Sequence, residues 1–356
     1  MPERMIKIKV TELMESDIIA KDIYSTTGSI LIKKNSCLNE SIIQRLLKSY
    51  NDSIFVYRKV GEKFNTYKVD INKILLKEIE DIIETTGKKF LKHEDDIKQI
   101  KKVIFEILNN DHIIKLLLPI RPLGINVFNH SVNVALYSLC VAKEMFFPYN
   151  RMKVLGTAAL LHDIGMQKVP RDIIYKTEAL NDSEKKILMK HPRYSFEILQ
   201  QTNSISLEIA SIVLQHHERY DGKGYPIGLK NEKIHEMAKI ISICDIFDAL
   251  TNDRPYRQKF EKNESIEYLL STGEDNYSPE ILNGLINSIS LYPFGQWVKL
   301  STEEIGIIVS HEEENNLKHR PLVMIYIDAN GKGIEKPKLM DLSLRDFDDI
   351  NIEAII

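Results

Sequence analysis

AALLHDIG, residues 158–165, sets His162 and Asp163 side by side at the end of an apolar run. The four residues before them carry no polar side chain, so the pair stands where a helix enters a core. A carboxylate in apolar surroundings loses its hydration and is protonated or expelled unless it meets a partner or a cation. AKIISICDIFDALT, residues 238–251, repeats the problem, because Asp245 falls in a segment that is apolar almost all round. Five of the ten histidines, His130, His162, His191, His216 and His217, lie inside or at the end of such segments. One would pass as a satisfied core residue. Five, with acids in equally apolar settings, point to imidazoles and carboxylates projecting inward from helices, as in di-metal sites of all-α proteins. A donor set without thiolate suits iron, manganese or zinc. The competing reading is a buried network pairing acids with histidines and holding no metal.

Working outward, residues 119–293 read as a helical domain. The strongest helical signals are VFNHSVNVALYSLCVAKEMF (127–146), NDSEKKILMKHPRYSFEILQQ (181–201), SLEIASIVLQHHERY (206–220) and the two segments already named. Residues 61–118 read as a helical linker. Within it, 68–118 is an amphipathic stretch, broken near Thr85-Thr86-Gly87, whose apolar side packs as a helix pair or serves a dimerising or signal-carrying helix. Residues 1–60 form a small α+β module: MIKIKV and SIFVYR alternate as strands, Gly28 supplies a turn, and Asn39 or Ser41 caps a helix. Residues 294–356 turn strand-like and make a short β-rich tail. The expected class is mainly α.

Bulk properties exclude several functions. A net charge of −3 over 356 residues gives no broad grip on a nucleic-acid polymer. Three cysteines without CxxC spacing suit a reducing compartment. No apolar run reaches the roughly 20 residues that span a bilayer, and the first residues lack the apolar core of a signal peptide. The expectation is a cytoplasmic protein with no membrane partner.

The order His130, His162-Asp163, His191, His216-His217, Asp245, with the loop QHHERYDGKGYP (215–226) and the later DIFDALTNDRPYR (245–257), resembles the HD-GYP subgroup of the HD superfamily of metal-dependent phosphohydrolases. The resemblance covers about residues 120–290. It implies an all-helical domain that hydrolyses cyclic di-GMP with divalent metals, commonly iron, with manganese as the other candidate; pGpG is the expected main product, and cleavage onward to GMP goes with a third metal. It implies His130, His162, Asp163, His191, His216, His217 and Asp245 as ligands, with Asp163 bridging and the His162-Asp163 pair at the catalytic centre. Such ions suit phosphodiester hydrolysis, since two of them ~3.5–4 Å apart lower the pKa of water and neutralise charge gathering on phosphorus. Gly222 and Gly224 would let the loop backbone approach a nucleotide. Tyr225 would offer guanine a stacking face, with Gly224 and Pro226 beside it, and Arg254 would reach a phosphate. The resemblance also implies diguanylate cyclase domains as partners of the GYP loop. The amphipathic helices suggest a homodimer.

Three positions depart from the family pattern. Met166 stands where a lysine is usual, which removes a positive charge and a donor. It leaves open a weak or inactive enzyme that senses cyclic di-GMP or binds partners. Asn126 stands where some members place a carboxylate for a third metal, so two ions are expected. Ser195 replaces a glycine, and its hydroxyl would either crowd the site or add a contact.

Overall fold

The computed structural model describes residues 3–10, 13–15, 17–24, 30–49, 53–59, 71–91, 94–123, 125–252, 259–272, 277–289, 295–310, 320–347 and 349–356. The chain is mainly helical, with small sheets towards both ends. No helix of the described residues is long and apolar enough to cross a membrane.

The N-terminal module pairs β1 (Glu3–Lys9) with β5 (Ser53–Lys59) antiparallel, and β2 (Ile18–Ile19) joins the other side of β5. β3 (Ile23–Tyr24) and β4 (Ile30–Ile32) form a separate two-stranded pair. Gly28, given a turn above, lies outside the described residues. Helix α1 (Glu40–Ser49) is capped by Asn39, whose Oδ1 accepts from the Ile42 amide at 2.9 Å. The alternating apolar residues of β1 and β5, with Leu46 and Ile43 of α1, close a core of their own.

Two helices follow, α2 (Ile71–Phe90) and α3 (Glu94–Leu108), and they correct the reading of this region. Helix α2 runs unbroken through Thr85-Thr86-Gly87, where a break was expected. Gly87 is a packing residue there: a Cβ on it would lie 3.0 Å from Ile97 of α3. The stretch set apart as a linker is also built into the main core, through Leu75, Ile79, Ile83, Ile100, Val103 and Ile104.

The helical domain is organised on α5 (Ile125–Glu144), which packs against α2, α6 (Tyr149–Leu161), α11 (Glu236–Thr251) and α13 (Pro279–Ser288). Every residue from Ser131 to Ala142 is buried, as a helix apolar all round requires. Short helices complete the bundle in chain order: α4 (Asp111–Leu117), before α5; α7 (Arg171–Ile174), α8 (Asp182–Leu188), α9 (His191–Gln200) and α10 (Leu207–Leu214), between α6 and α11; and α12 (Lys262–Ser271), after it. Asn181 opens α8 with a capping box, its side chain and that of Glu184 each accepting from the other's backbone amide. The C-terminal sheet is antiparallel in the order β10 (Ile352–Ile355), β6 (Trp297–Leu300), β7 (Ile305–Ser310), β8 (Leu322–Ile327), β9 (Gly333–Asp341). Its inward residues Val298, Leu300, Ile308, Val323 and Ile325 are fully buried.

Candidate metal centre

Helix ends supply most of the histidines. His162 follows the last residue of α6, His191 opens α9 just after α8, and His216 comes two residues after α10. The last carbonyls of a helix have no partner within it, and each of these rings takes one. His162 Nδ1 lies 2.7 Å from the Ala159 carbonyl, His191 Nδ1 2.8 Å from Leu188, and His216 Nδ1 2.6 Å from Val213. A ring that donates from Nδ1 to a carbonyl leaves its Nε2 lone pair free to point inward. His130, in the middle of α5, has no free carbonyl and uses a carboxylate instead: its Nδ1 is 2.7 Å from Asp248 Oδ2.

The free nitrogens converge. Donor atoms of His191, His216 and His217 lie within 4.8 Å of one another, as do those of His130, His162 and Asp245, and those of His162, Asp163 and His216. All seven residues singled out above as ligands therefore meet in one place, in three overlapping groups. Asp163 stands between the outer two, its Oδ1 3.1 Å from His191 Nε2 and 3.9 Å from His216 Nε2, and its Oδ2 3.6 Å from His162 Nε2. At the far side Asp245 Oδ1 is 3.0 Å from His130 Nε2, and its Oδ2 is 3.6 Å from His217 Nδ1.

This donor set fits divalent cations. His162 Nε2 is buried, faces the cluster and has no hydrogen-bond partner among the described residues, which is costly for a polar atom unless a cation completes it. Burial, with the neighbouring His217, His162 and His191, holds His216 well below the usual histidine range. Burial likewise brings His217 down to about 4, despite the opposing pull of Asp245. Both rings are thus neutral at pH 7, the ligating form. Burial alone would raise the Asp163 carboxyl, but His162 and His191 outweigh it and hold it well below the usual range. His130 is pushed up to about 10: burial opposes its charged form, and the hydrogen bonds to Asp245 and Asp248 overcome it. Two buried carboxylates around one ring demand positive charge, which a proton or a metal ion can supply.

The loop after the histidines is tied to itself. Buried Glu218 accepts from the amides of Ile227 (2.7 Å), Gly228 (3.0 Å) and Leu229 (2.9 Å), pinning the far end of the loop beneath the cluster. Gly224 is required by the loop itself. A Cβ there would lie 2.3 Å from the Arg219 amide and 2.5 Å from the His217 carbonyl, so its own loop fills the space. Gly222 takes a positive φ of 76°. Tyr225 lies over His217, ring centres 4.7 Å apart at 33°, with half-buried Pro226 beside it. One face of Tyr225 is thereby occupied by a histidine of the cluster. Arg254 lies outside the described residues, as does the side chain of Asn126, one turn before His130 on α5.

Ser195 adds a contact. Its Oγ accepts from the Gly165 amide at 2.8 Å and donates to the His162 carbonyl at 2.7 Å, tying α9 to the His162-Asp163 turn. Met166 is half-buried against the core, while Lys168 pairs with Glu197 at 3.3 Å and lies over the Tyr194 ring. Sequence reasoning missed Asp248, Asn133 and Glu218. Asp248 and Asn133 each lie three residues after a candidate ligand on the same helix, a spacing that places them on one face.

The family pattern described as HD domain matches residues 79–281. The chain belongs to the HD domain family. The match runs from α2 to α13, so it takes in the helices read as a linker and every donor of the cluster. Among relatives, the HD chain is 28% identical over 250 residues to a cyclic di-GMP phosphodiesterase of Pseudomonas aeruginosa, covering 70% of this chain and 59% of that one. It is 35% identical over 208 residues to the cyclic di-GMP phosphodiesterase PdeB of Borreliella burgdorferi, covering 58% and 54%. It is 40% identical over 139 residues to a 3'3'-cGAMP-specific phosphodiesterase of Vibrio cholerae, covering 38% and 32%. The HD chain thus spans less than two thirds of the length of each.

Proposed function

We propose that this HD protein is a metal-dependent phosphodiesterase that hydrolyses cyclic di-GMP to pGpG. The observation that carries the reading is the meeting of seven donors in three overlapping groups, with His162 Nε2 buried and without a partner among the described residues. His130, His162 and Asp245 would hold one ion, His191, His216 and His217 another, and Asp163 would lie between. Iron and manganese suit the imidazole and carboxylate donors. Bound there, such ions supply Lewis acidity that lowers the pKa of water and neutralises charge gathering on a phosphodiester.

The chain's own groups do the rest. The carbonyls of Ala159, Leu188 and Val213 fix three imidazoles with Nε2 inward. Tyr225 is raised above the usual tyrosine range by burial and by the nearby Asp245 and Asp163, so at the mouth of the cluster it is a neutral O–H donor with an aromatic ring. The names of two relatives support cyclic di-GMP as substrate, and that of the third makes 3'3'-cGAMP the comparison substrate.

A second reading, a cyclic di-GMP receptor that binds without cleaving, is favoured by Met166, which brings no charge to the cluster. Hydrolysis of both dinucleotides by protein prepared without oxygen and supplied with Fe(II) or Mn(II) separates the two. The enzyme reading expects turnover that Asp163→Ala abolishes. Tight binding of cyclic di-GMP by a folded, metal-loaded protein with no turnover establishes the receptor instead.

A further inference from the structure

His130 differs from His162, His191 and His216 in how its outer nitrogen is held, and its partner leads away from the cluster. Asp248 is buried on α11, one turn after Asp245. Its Oδ2 faces His130 Nδ1, and its Oδ1 accepts from Asn133 Nδ2 at 2.9 Å and Asn252 Nδ2 at 2.8 Å. The Asn133 amide accepts in turn, its Oδ1 taking a hydrogen bond from Thr86 Oγ at 2.9 Å. Thr86 belongs to α2.

The direction of every bond in this chain is fixed. A carboxylate only accepts, so Asn133 must turn its NH2 group to Asp248 and its oxygen to Thr86. The Thr86 hydroxyl must then donate. At the other end His130 must donate from Nδ1, so Nε2, which lies 3.0 Å from Asp245 and faces the candidate metal centre, is the nitrogen whose proton a metal ion would replace. The start of the chain is connected too. Ile74, earlier on α2, packs on the core of the N-terminal module. Glu78, two turns before Thr86, pairs with buried Arg121 at 2.5 Å, and Arg121 donates to the Leu47 carbonyl of α1 at 3.1 Å.

Resting on the metal reading above, we propose that Thr86, Asn133 and Asp248 are positioning residues that set the tautomer of His130 for metal ligation, and that α2 acts on the metal centre through them. Asp248→Asn is the sharpest test. Asn133 and Asn252 require an oxygen at the position of Oδ1, so the introduced NH2 must face His130 Nδ1. That nitrogen must then accept, the ring proton moves to Nε2, and the ligating lone pair is lost with almost no change in shape.

Binding of Mn(II) to the full chain, followed by the paramagnetic signal of the free ion, reads this directly. Asp248→Asn should weaken one class of Mn(II) site by about 10–100-fold, as changes behind a ligating histidine do. Thr86→Val, which keeps shape and loses the donor, should weaken the same class about 3–10-fold, one neutral hydrogen bond's worth. Thr86→Ser should restore it. A chain that served only the fold would lower the urea midpoint of these variants and leave Mn(II) affinity unchanged. That outcome overturns the inference, and Thr86→Val decides it even if Asp248→Asn does not fold. Failure of the unaltered protein to bind Mn(II) or Fe(II) is a distinct result, which removes the metal reading itself and the relay with it.

Discussion

Gly165 and Ser195 show how little room surrounds the His162-Asp163 pair. A Cβ on Gly165 would lie 2.1 Å from the His191 carbonyl and 2.5 Å from the Ser195 amide, both backbone atoms that cannot turn aside. Gly165→Ala must therefore move α9, and His191 with it. Urea denaturation should show a loss towards the upper end of the ~1–3 kcal/mol typical of overpacking, together with a lower metal content. Ser195→Ala should cost about 1–3 kcal/mol, because the buried Gly165 amide loses its acceptor, while metal content holds. Met166→Lys tests the family departure. The lysine stem can follow the half-buried path of the thioether, and its charge would stand beside the cluster. On the phosphodiesterase reading, turnover of cyclic di-GMP should rise by about 10²-fold or more, the scale of one preorganised donor at a site of developing charge. An unchanged rate at full metal content would show that this charge is not what limits the proposed hydrolysis. At this scale the sequence was readable where burial conflicts with polarity, as at His162, Asp163 and Asp245. Asp248 carries the same conflict but looked redundant beside Asp245, since nothing local says which of two acids on one helix face meets the far side of a histidine.

The loop from His217 to Leu229 is an element whose shape depends on one carboxylate. Glu218 accepts three consecutive backbone amides, and charge-assisted bonds of this kind are about twice as strong as neutral ones. Glu218→Gln keeps the size of the side chain, but its NH2 end would face an amide donor. Hydrogen exchange at Ile227, Gly228 and Leu229 should speed up. KM should rise more than kcat falls, because Tyr225 is displaced while the metal donors are not. If exchange is unaltered, the three bonds do not hold the loop. The sequence displayed the glycines, the Tyr-Pro pair and the histidines of this loop, but not that the fold of the loop itself needs Gly224. Gly224 meets the backbone of Arg219 and His217, five and seven residues away, a contact that no pattern of polarity records. Helix α2 was misjudged for the reverse reason. Two threonines and a glycine usually interrupt a helix, but here Gly87 admits Ile97 and Thr86 finds Asn133, so tertiary contacts override local preference.

Across the whole molecule, the N-terminal module closes a core separate from that of the helical domain, and Arg121 joins them. It is buried, pairs with Glu78 of α2 and donates to the Leu47 carbonyl of α1. Removing one partner of a buried pair leaves the other charge uncompensated, at a cost of about 3–5 kcal/mol, whereas replacing both with apolar residues is often near neutral. Arg121→Met should therefore be severely destabilising, and Arg121→Met with Glu78→Leu should recover most of the loss. Chelation separates the two cores in a second way. The candidate donors come from α5, α9, α11 and the turns after α6 and α10, so an ion bound there would tie together most of the helical domain and nothing of the module. An ion that binds only the folded state adds RT ln(1 + [L]/Kd), about 4 kcal/mol at a thousand times Kd. In calorimetry, chelator should lower the main transition of the metal-loaded protein by several degrees. In the Arg121→Met/Glu78→Leu protein, where the joint is apolar and the cores are less firmly coupled, the module's own transition should stay in place while the helical domain's moves. If both still melt together and shift together, α1 and α2 are held by more than this pair, and the module is mechanically part of the helical domain that carries the candidate metal centre.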